Sequence, residues 1–145
     1  DYLLQVLALC MGVGAKKRRK DFVTAKQAAD VISYFFRAEE NPAFRADGET
    51  VKAVLQNFMA VYDPADDNAA WFDKLKKVAD ALGFASDMKA YKAAPENYRG
   101  NVSDVAEIVR VALTGRANTP DLCTIMRILG AEECRRRVAG VVANV

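Results

Sequence analysis

The stretch from Val102 to Val138 most constrains what this chain can fold into, because three helices can be read there with start and stop signals in place. Val105, Ile108, Val109 and Ala112 fall at i, i+3, i+4 and i+7, with Ser103 placed to cap the start and Gly115 to end the helix left-handed. Thr119 then caps again, Pro120 fits the first helical position, and Leu122, Ile125, Met126 and Leu129 repeat the spacing up to Gly130. Arg110 lies about 140° round from Val105, and Arg127 about 140° round from Leu122, so each projects opposite its apolar stripe. The pair reads either as a common ligand site or as solvated surface charge, with Arg110 paired to Glu107 one turn earlier. In the last helix Glu132 to Arg136 and Glu133 to Arg137 are i,i+4 pairs in the favourable order, which is a structural reading.

The rest of the chain repeats the helical period. A helix from about Ala25 to Ala38 turns Ala28, Val31, Ile32, Phe35 and Phe36 inward and closes at Asn41-Pro42. The next runs from about Gly48 to Tyr62 with Val51, Val54, Leu55, Phe58 and Met59 in phase, and stops at Asp63-Pro64. A fourth carries Trp71, Leu75, Val78 and Leu82 on one face and ends at Gly83 with Phe84 behind it. Leu3 to Met11 is apolar on nearly every side and stops at Gly12 and Gly14. No run alternates apolar and polar as a strand does. The fold class is therefore all-α, a superhelical cage or bundle of about seven short helices without a sheet. Its parts are a helical subdomain over 1–84, with a basic loop over 14–22, and a second over 85–145.

Charge and cysteine content exclude several chemistries. The net charge is +2, from 21 basic and 19 acidic residues, so affinity for an anionic partner must come from clustering. The densest cluster is Lys16, Lys17, Arg18, Arg19 and Lys20, followed by Asp21 and the capping-box spacing of Thr24 to Gln27. It is either a solvated loop or a place where phosphates neutralise like charges. Between Ser86 and Asn101 a short helix and a loop around Pro95 and Gly100 mix Tyr91 and Tyr98 with Lys89, Lys92 and Arg99. Such a mixture can stack unpaired bases beside a neutralised backbone, or the tyrosines can pin the loop to the core. With no histidine, and with Cys10, Cys123 and Cys134 forming no Cys-x-x-Cys pair, a zinc site and histidine-based catalysis are both disfavoured. Reduced thiols fit the cytoplasm. The apolar start at Tyr2 to Val13 is too short to span a membrane, and the absence of an initiator methionine reads as a piece cut from a longer protein.

The run from Val105 to Arg116, containing Arg-Val-Ala-Leu-Thr-Gly, together with Thr119-Pro120 and Ile125 to Gly130, resembles the C-terminal end of class I glutamyl-tRNA synthetases. Cys10 to Lys17 and Trp71 to Leu75 resemble one bacterial branch of that family, from which Arg18 departs by standing where proline is usual. The resemblance covers only the anticodon-binding half. It implies a helical cage around the anticodon loop of a tRNA, with no catalytic residue and no cofactor in this chain. The ATP-binding motifs belong to the parent's catalytic half. It further implies tRNA as partner, no membrane, no metal, and a monomer packed against the catalytic domain. The base-reading role falls to Arg110, Arg116 or Arg127, with Arg110 and Arg116 favoured because Gly115 would expose them next to the Tyr98 to Asn101 loop. Lys16 to Lys20 would meet phosphates, and Tyr91, Lys92, Tyr98 and Arg99 the loop. The alternative is a helical protein-interaction scaffold with Asp63, Asp66, Asp67 and Asp73 at the contact surface.

Overall fold

Acidic and amide side chains start most of the helices. The computed structural model describes residues 1–14, 16 and 24–145, and these form eight α-helices. They are α1 (Tyr2–Cys10), α2 (Ala25–Phe36), α3 (Gly48–Val61), α4 (Asn68–Ala81), α5 (Met88–Ala93), α6 (Val102–Thr114), α7 (Leu122–Leu129) and α8 (Ala131–Asn144), with a 3-10 turn at Pro95–Asn97. Among the described residues there is no strand, only an isolated parallel bridge between Ala85 and Asn101. Asp47, Asp67 and Asp87 cap α3, α4 and α5, and Thr24 with Gln27 forms the expected capping box on α2. Phe84 N–H donates to Ala79 O at 2.9 Å behind a left-handed Gly83, the ending anticipated for α4.

Two caps differ from expectation. Asn101, not Ser103, caps α6: its side chain accepts from Ser103 N–H at 2.8 Å, while Asp104 accepts from Asn101 N–H at 2.8 Å. That reciprocal pair satisfies two end donors, which a serine inside the first turn cannot do. Helix α7 likewise starts two residues beyond Pro120, because Asp121 accepts from Thr124 N–H at 2.9 Å and from its hydroxyl at 2.6 Å. Thr119 and Pro120 are buried in the connection instead.

The main core joins Val51, Leu55 and Phe58 of α3, Trp71 and Leu75 of α4, Val105 and Val109 of α6, Met126 of α7 and Val138 of α8. A second cluster holds Val6 and Cys10 of α1 and Tyr34 and Phe35 of α2 against Ile125 of α7. Helix α2 stops at Phe36, two residues short of the expected end, and Phe36 is 57% exposed while Tyr34 is buried. The reversal has a tertiary cause. The Arg116 guanidinium lies 5.9 Å over the Tyr34 ring, and Phe35 packs on that ring at 4.5 Å, so Tyr34 is covered from the far end of α6.

The ends of α2 and α6 meet over one buried side chain. Arg137 of α8 is 5% exposed, and its Nη1 donates to Tyr34 O at 2.5 Å and to Leu113 O at 2.7 Å. Both carbonyls belong to last turns and have no partner within their own helices. Arg137 Nε donates to Glu133 at 2.7 Å, and Glu133 also takes Arg136 at 2.7 Å. The expected Glu133–Arg137 pair is present. Arg136, expected on Glu132, is drawn to Glu133 because the forked guanidinium can engage both of its oxygens.

Two stability measurements follow. The Trp71 ring sits edge-on to Phe58 at 5.6 Å, and its N–H points at the Met126 sulfur at 3.3 Å. Trp71→Ala should therefore cost about 3–5 kcal/mol in urea unfolding, and a loss below about 1 kcal/mol would mean the cavity closes or never formed. The second concerns pH. Hydrogen bonds from Arg136, then Arg137, hold the Glu133 carboxyl down at about 2 against an ordinary 4.5. Because the folded value is the lower one, the stabilisation is fully present above about pH 4.5 and is lost as pH falls toward 2. Allowing for partial solvent exposure, it is on the order of 2 kcal/mol. Glu133→Gln should show that deficit at pH 7 and converge with the parent chain near pH 2.

Candidate functional site

Helix α6 carries most of its polar groups in one line: Ser103, Glu107, Arg110 and Thr114 fall at i, i+4, i+7 and i+11, which is one face of a helix. Apart from the exposed Asp104 at the helix start and half-buried Ala106, the remaining positions are apolar and buried, from Val102 through Val105, Ile108 and Val109 to Leu113. The connection between α2 and α3 lies over the polar line. At one end a Cβ on Gly115 would come within 2.7 Å of Glu39 Cβ, so Glu39 seats directly on the glycine. At the other, Arg45 Nε is 3.3 Å from Glu107. Arg110 therefore does not project outward as its phase suggested. It is half-buried, with its Nε shielded from solvent, because the connection covers the side of α6 that the core leaves free. Glu107, the expected partner of Arg110, takes Arg45.

A groove of about 560 Å³ opens at the N-terminal half of α6, lined by Phe44, Arg45, Asp47, Tyr91, Arg99 and Glu107 among others. It brings together two of the residues singled out from sequence. Tyr91 and Tyr98 stack obliquely at 6.4 Å, both half-buried, so they hold the loop as well as facing it. Arg99 is committed to structure: Nη2 donates to Thr50 Oγ1 at 2.7 Å, and the guanidinium lies 5.5 Å over Phe84. Hydrogen bonds from the Thr50 amide and hydroxyl hold the Asp47 carboxyl below the usual range. Asp104 and Glu107 add two more carboxylates, so the lining matches the donor and acceptor edges of a base better than it matches a phosphate. Lys92 is exposed in the last turn of α5.

A second cleft, of about 390 Å³, lies at the other end of α6 between Tyr34, Arg37, Glu39, Thr114 and Arg116. Arg116 donates to Asp30 O of α2, and its amide donates to Thr114 Oγ1 at 3.1 Å. The same hydroxyl donates to Arg110 O at 2.7 Å. This corrects the expected neighbourhood of Gly115. The 13 residues of α6 span roughly 20 Å, so Gly115 and Arg116 stand at the opposite end from the Tyr98 to Asn101 loop. Arg127 lies in neither place: it is exposed, with Nη2 3.4 Å from Asp66 O, and lines a small cavity with Tyr62 and Trp71. Lys16 is exposed beyond α1, and Lys17, Arg18, Arg19 and Lys20 lie outside the described residues.

Sequence reasoning missed Arg37, Glu39 and Arg45, whose roles depend on where the connection runs. It named Arg137 only as the partner of Glu133 and missed its burial between α2 and α6, for which a signal existed. Cys134, Arg137, Val138 and Val141 fall at i, i+3, i+4 and i+7, so an arginine occupies a core position of an apolar stripe.

Residues 88–142 match the family model described as an anticodon binding domain, which takes in α5 to nearly the end of α8. A glutamate–tRNA ligase of Clostridium perfringens (strain 13 / Type A) is 43% identical over 130 residues, covering 84% of this chain and 24% of that protein. That of Acetivibrio thermocellus is 36% identical over 135 residues, covering 90% of this chain and 24% of its own length. A third, from Sorangium cellulosum, is 34% identical over 139 residues, again 24% of its length. The chain spans about a quarter of the length of the curated relatives it matches.

The seat of Glu39 on Gly115 gives a test of the cleft's geometry. Gly115 has φ +70°, so Gly115→Ala should cost about 1–2 kcal/mol in left-handed strain plus the displacement of Glu39. Gly130→Ala, at φ +86° with open space around it, should cost the strain alone. Adding Glu39→Gly, which removes the contacting Cβ, should recover part of the first loss and none of the second, read by thermal melts of the four variants.

Proposed function

We propose that this chain, which belongs to the glutamate–tRNA ligase family as its anticodon-binding region, holds the anticodon loop of a glutamate tRNA while ATP-dependent chemistry proceeds in a part of the enzyme outside these residues. The observation that carries the reading is the anticodon-binding match over residues 88–142, because it falls on α6 and on both cavities' walls. In this reading 1–84 and 85–145 are two helical halves of one RNA-binding region. It works in the cytoplasm as a monomer against the catalytic portion, without a metal or cofactor of its own. Among the described residues no helix is long and apolar enough to cross a membrane.

Phosphate holding and base reading divide between different residues. Lys16, Lys17, Arg18, Arg19 and Lys20 form the densest basic run and would neutralise phosphates, a sequence-independent contribution. Arg116, which lines the cleft, or Arg110, half-buried one turn before Thr114, would read a base edge through the paired donors of its guanidinium fork. Tyr91 and Tyr98, with Lys92 and Arg99 beside them, would receive an unstacked base at the groove, and Arg127 remains a peripheral candidate.

The test is a pair of salt titrations on a glutamate tRNA transcript and on transcripts with one anticodon base replaced. Lys17→Ala should flatten the log-log salt slope by about 1 on every transcript. Arg110→Gln or Arg116→Gln should cost about 1–3 kcal/mol on the native anticodon and much less on the transcript altered at the base it reads. Equal losses on all transcripts would remove base reading from α6. No binding of any tRNA would leave the chain as a protein-interaction scaffold.

A further inference from the structure

We infer that Arg137 is a positioning residue for anticodon discrimination: buried and out of reach of RNA, it sets the width of the cleft between the ends of α2 and α6 and so places Arg116. The inference rests on the reading of that end of α6 as the base-reading side. One nitrogen, Nη1, donates to Tyr34 O on one wall and to Leu113 O on the other, so the two carbonyl oxygens stand no more than about 5 Å apart. Both are the negative ends of helices. Without a cation between them they repel, and the walls are free to part.

What moves with the walls is the cleft's contents. Arg116 stands three residues beyond Leu113 on one side and is fastened to Asp30 O and the Tyr34 ring on the other. Thr114, between them, accepts from Arg116 N–H and donates to Arg110 O. A change in the separation of Tyr34 O and Leu113 O is thus a change in where Arg116 can point. The contact is specific to a fork. Nη1 serves the two carbonyls only while Nε is held by Glu133 at 2.7 Å, and a lysine, which is shorter and has a single nitrogen, cannot make all three bonds.

The experiment measures the affinity of Arg137→Lys for a glutamate tRNA transcript and for transcripts with one anticodon base replaced, well below the melting transition of each protein. The ratio between native and altered anticodon is expected to fall about tenfold while the salt slope stays as in the parent. A purely structural role would lower the melting temperature and leave that ratio alone, so an unchanged ratio in folded Arg137→Lys overturns the inference. Should that variant not fold by circular dichroism, Arg137→Met, of similar length and without a charge, is held to the same criterion. Arg110→Gln and Arg116→Gln run alongside separate the two failures. If neither loses discrimination, the reading of that end of α6 as the base-reading side falls. If either does while the Arg137 variant keeps the ratio, only the positioning role falls.

Discussion

The guanidinium of Arg137 settles how three helices can meet. Helices α2 and α6 arrive at the same place by their C-terminal ends, where unpaired carbonyls and the negative poles of two helix dipoles would otherwise face each other in the protein interior. A buried cation with several donors answers both problems at once, and Glu133 answers the charge of the cation. Neighbouring side chains finish the accounting. The Tyr2 hydroxyl donates to Phe35 O at 2.8 Å, which pins α1 to the same helix end, and Arg37 N–H donates to Ser33 O. The second hydrophobic cluster, with Tyr34, Phe35 and Val6, is held at this junction.

From that junction the position of α6 determines the rest. Its core-facing side is buried from Val102 to Leu113, and the polar line from Ser103 to Thr114 is left for the connection between α2 and α3 to cover. The connection can do so because α2 ends where Arg137 holds it, and because Gly115 leaves room for Glu39 to begin the crossing. Arg45 on Glu107 completes it. The groove and the cleft are the two gaps left at either end of that crossing. They share a helix and both mix charges: Asp47, Asp104 and Glu107 line the first with Arg45 and Arg99, and Arg37 and Arg116 line the second with Glu39 and Glu40.

Most of the helices were legible in the sequence because they had a 3.6-residue apolar period closed by a glycine, a proline or a capping side chain. That is why α3, α4 and α6 fall close to where the period put them. What the period cannot say is what covers the opposite face. Arg110 and Phe36 show this in reverse directions: one was expected outside and is covered by a loop, while the other was expected inside and is left exposed as the last residue of α2. The caps at Ser103 and Thr119 failed for a local reason, because a better acceptor stood two residues away in each case. Placing Arg116 beside the Tyr98 to Asn101 loop failed for a geometric one. Residues close in a helical sequence diverge by about 1.5 Å each along the axis, and the two ends of a 13-residue helix do not share a site.

Charge placement decides how such a surface could carry RNA. Three carboxylates set against Arg45 and Arg99 leave the groove without the excess of positive charge that suits a phosphate, so the tyrosines beside it suit a base better than a backbone track. In the proposed function they act on a base that has already left the stack. The load of the backbone then falls to the Lys16 to Lys20 run, since a chain of net charge +2 has little long-range field to offer elsewhere. Reading is the harder requirement. An arginine that reads a base edge must be held to within a few tenths of an ångström while still free to donate, and Arg116 already spends one nitrogen on Asp30 O. Its remaining donors point according to the line between α2 and α6, which a side chain on a third helix, Arg137, draws.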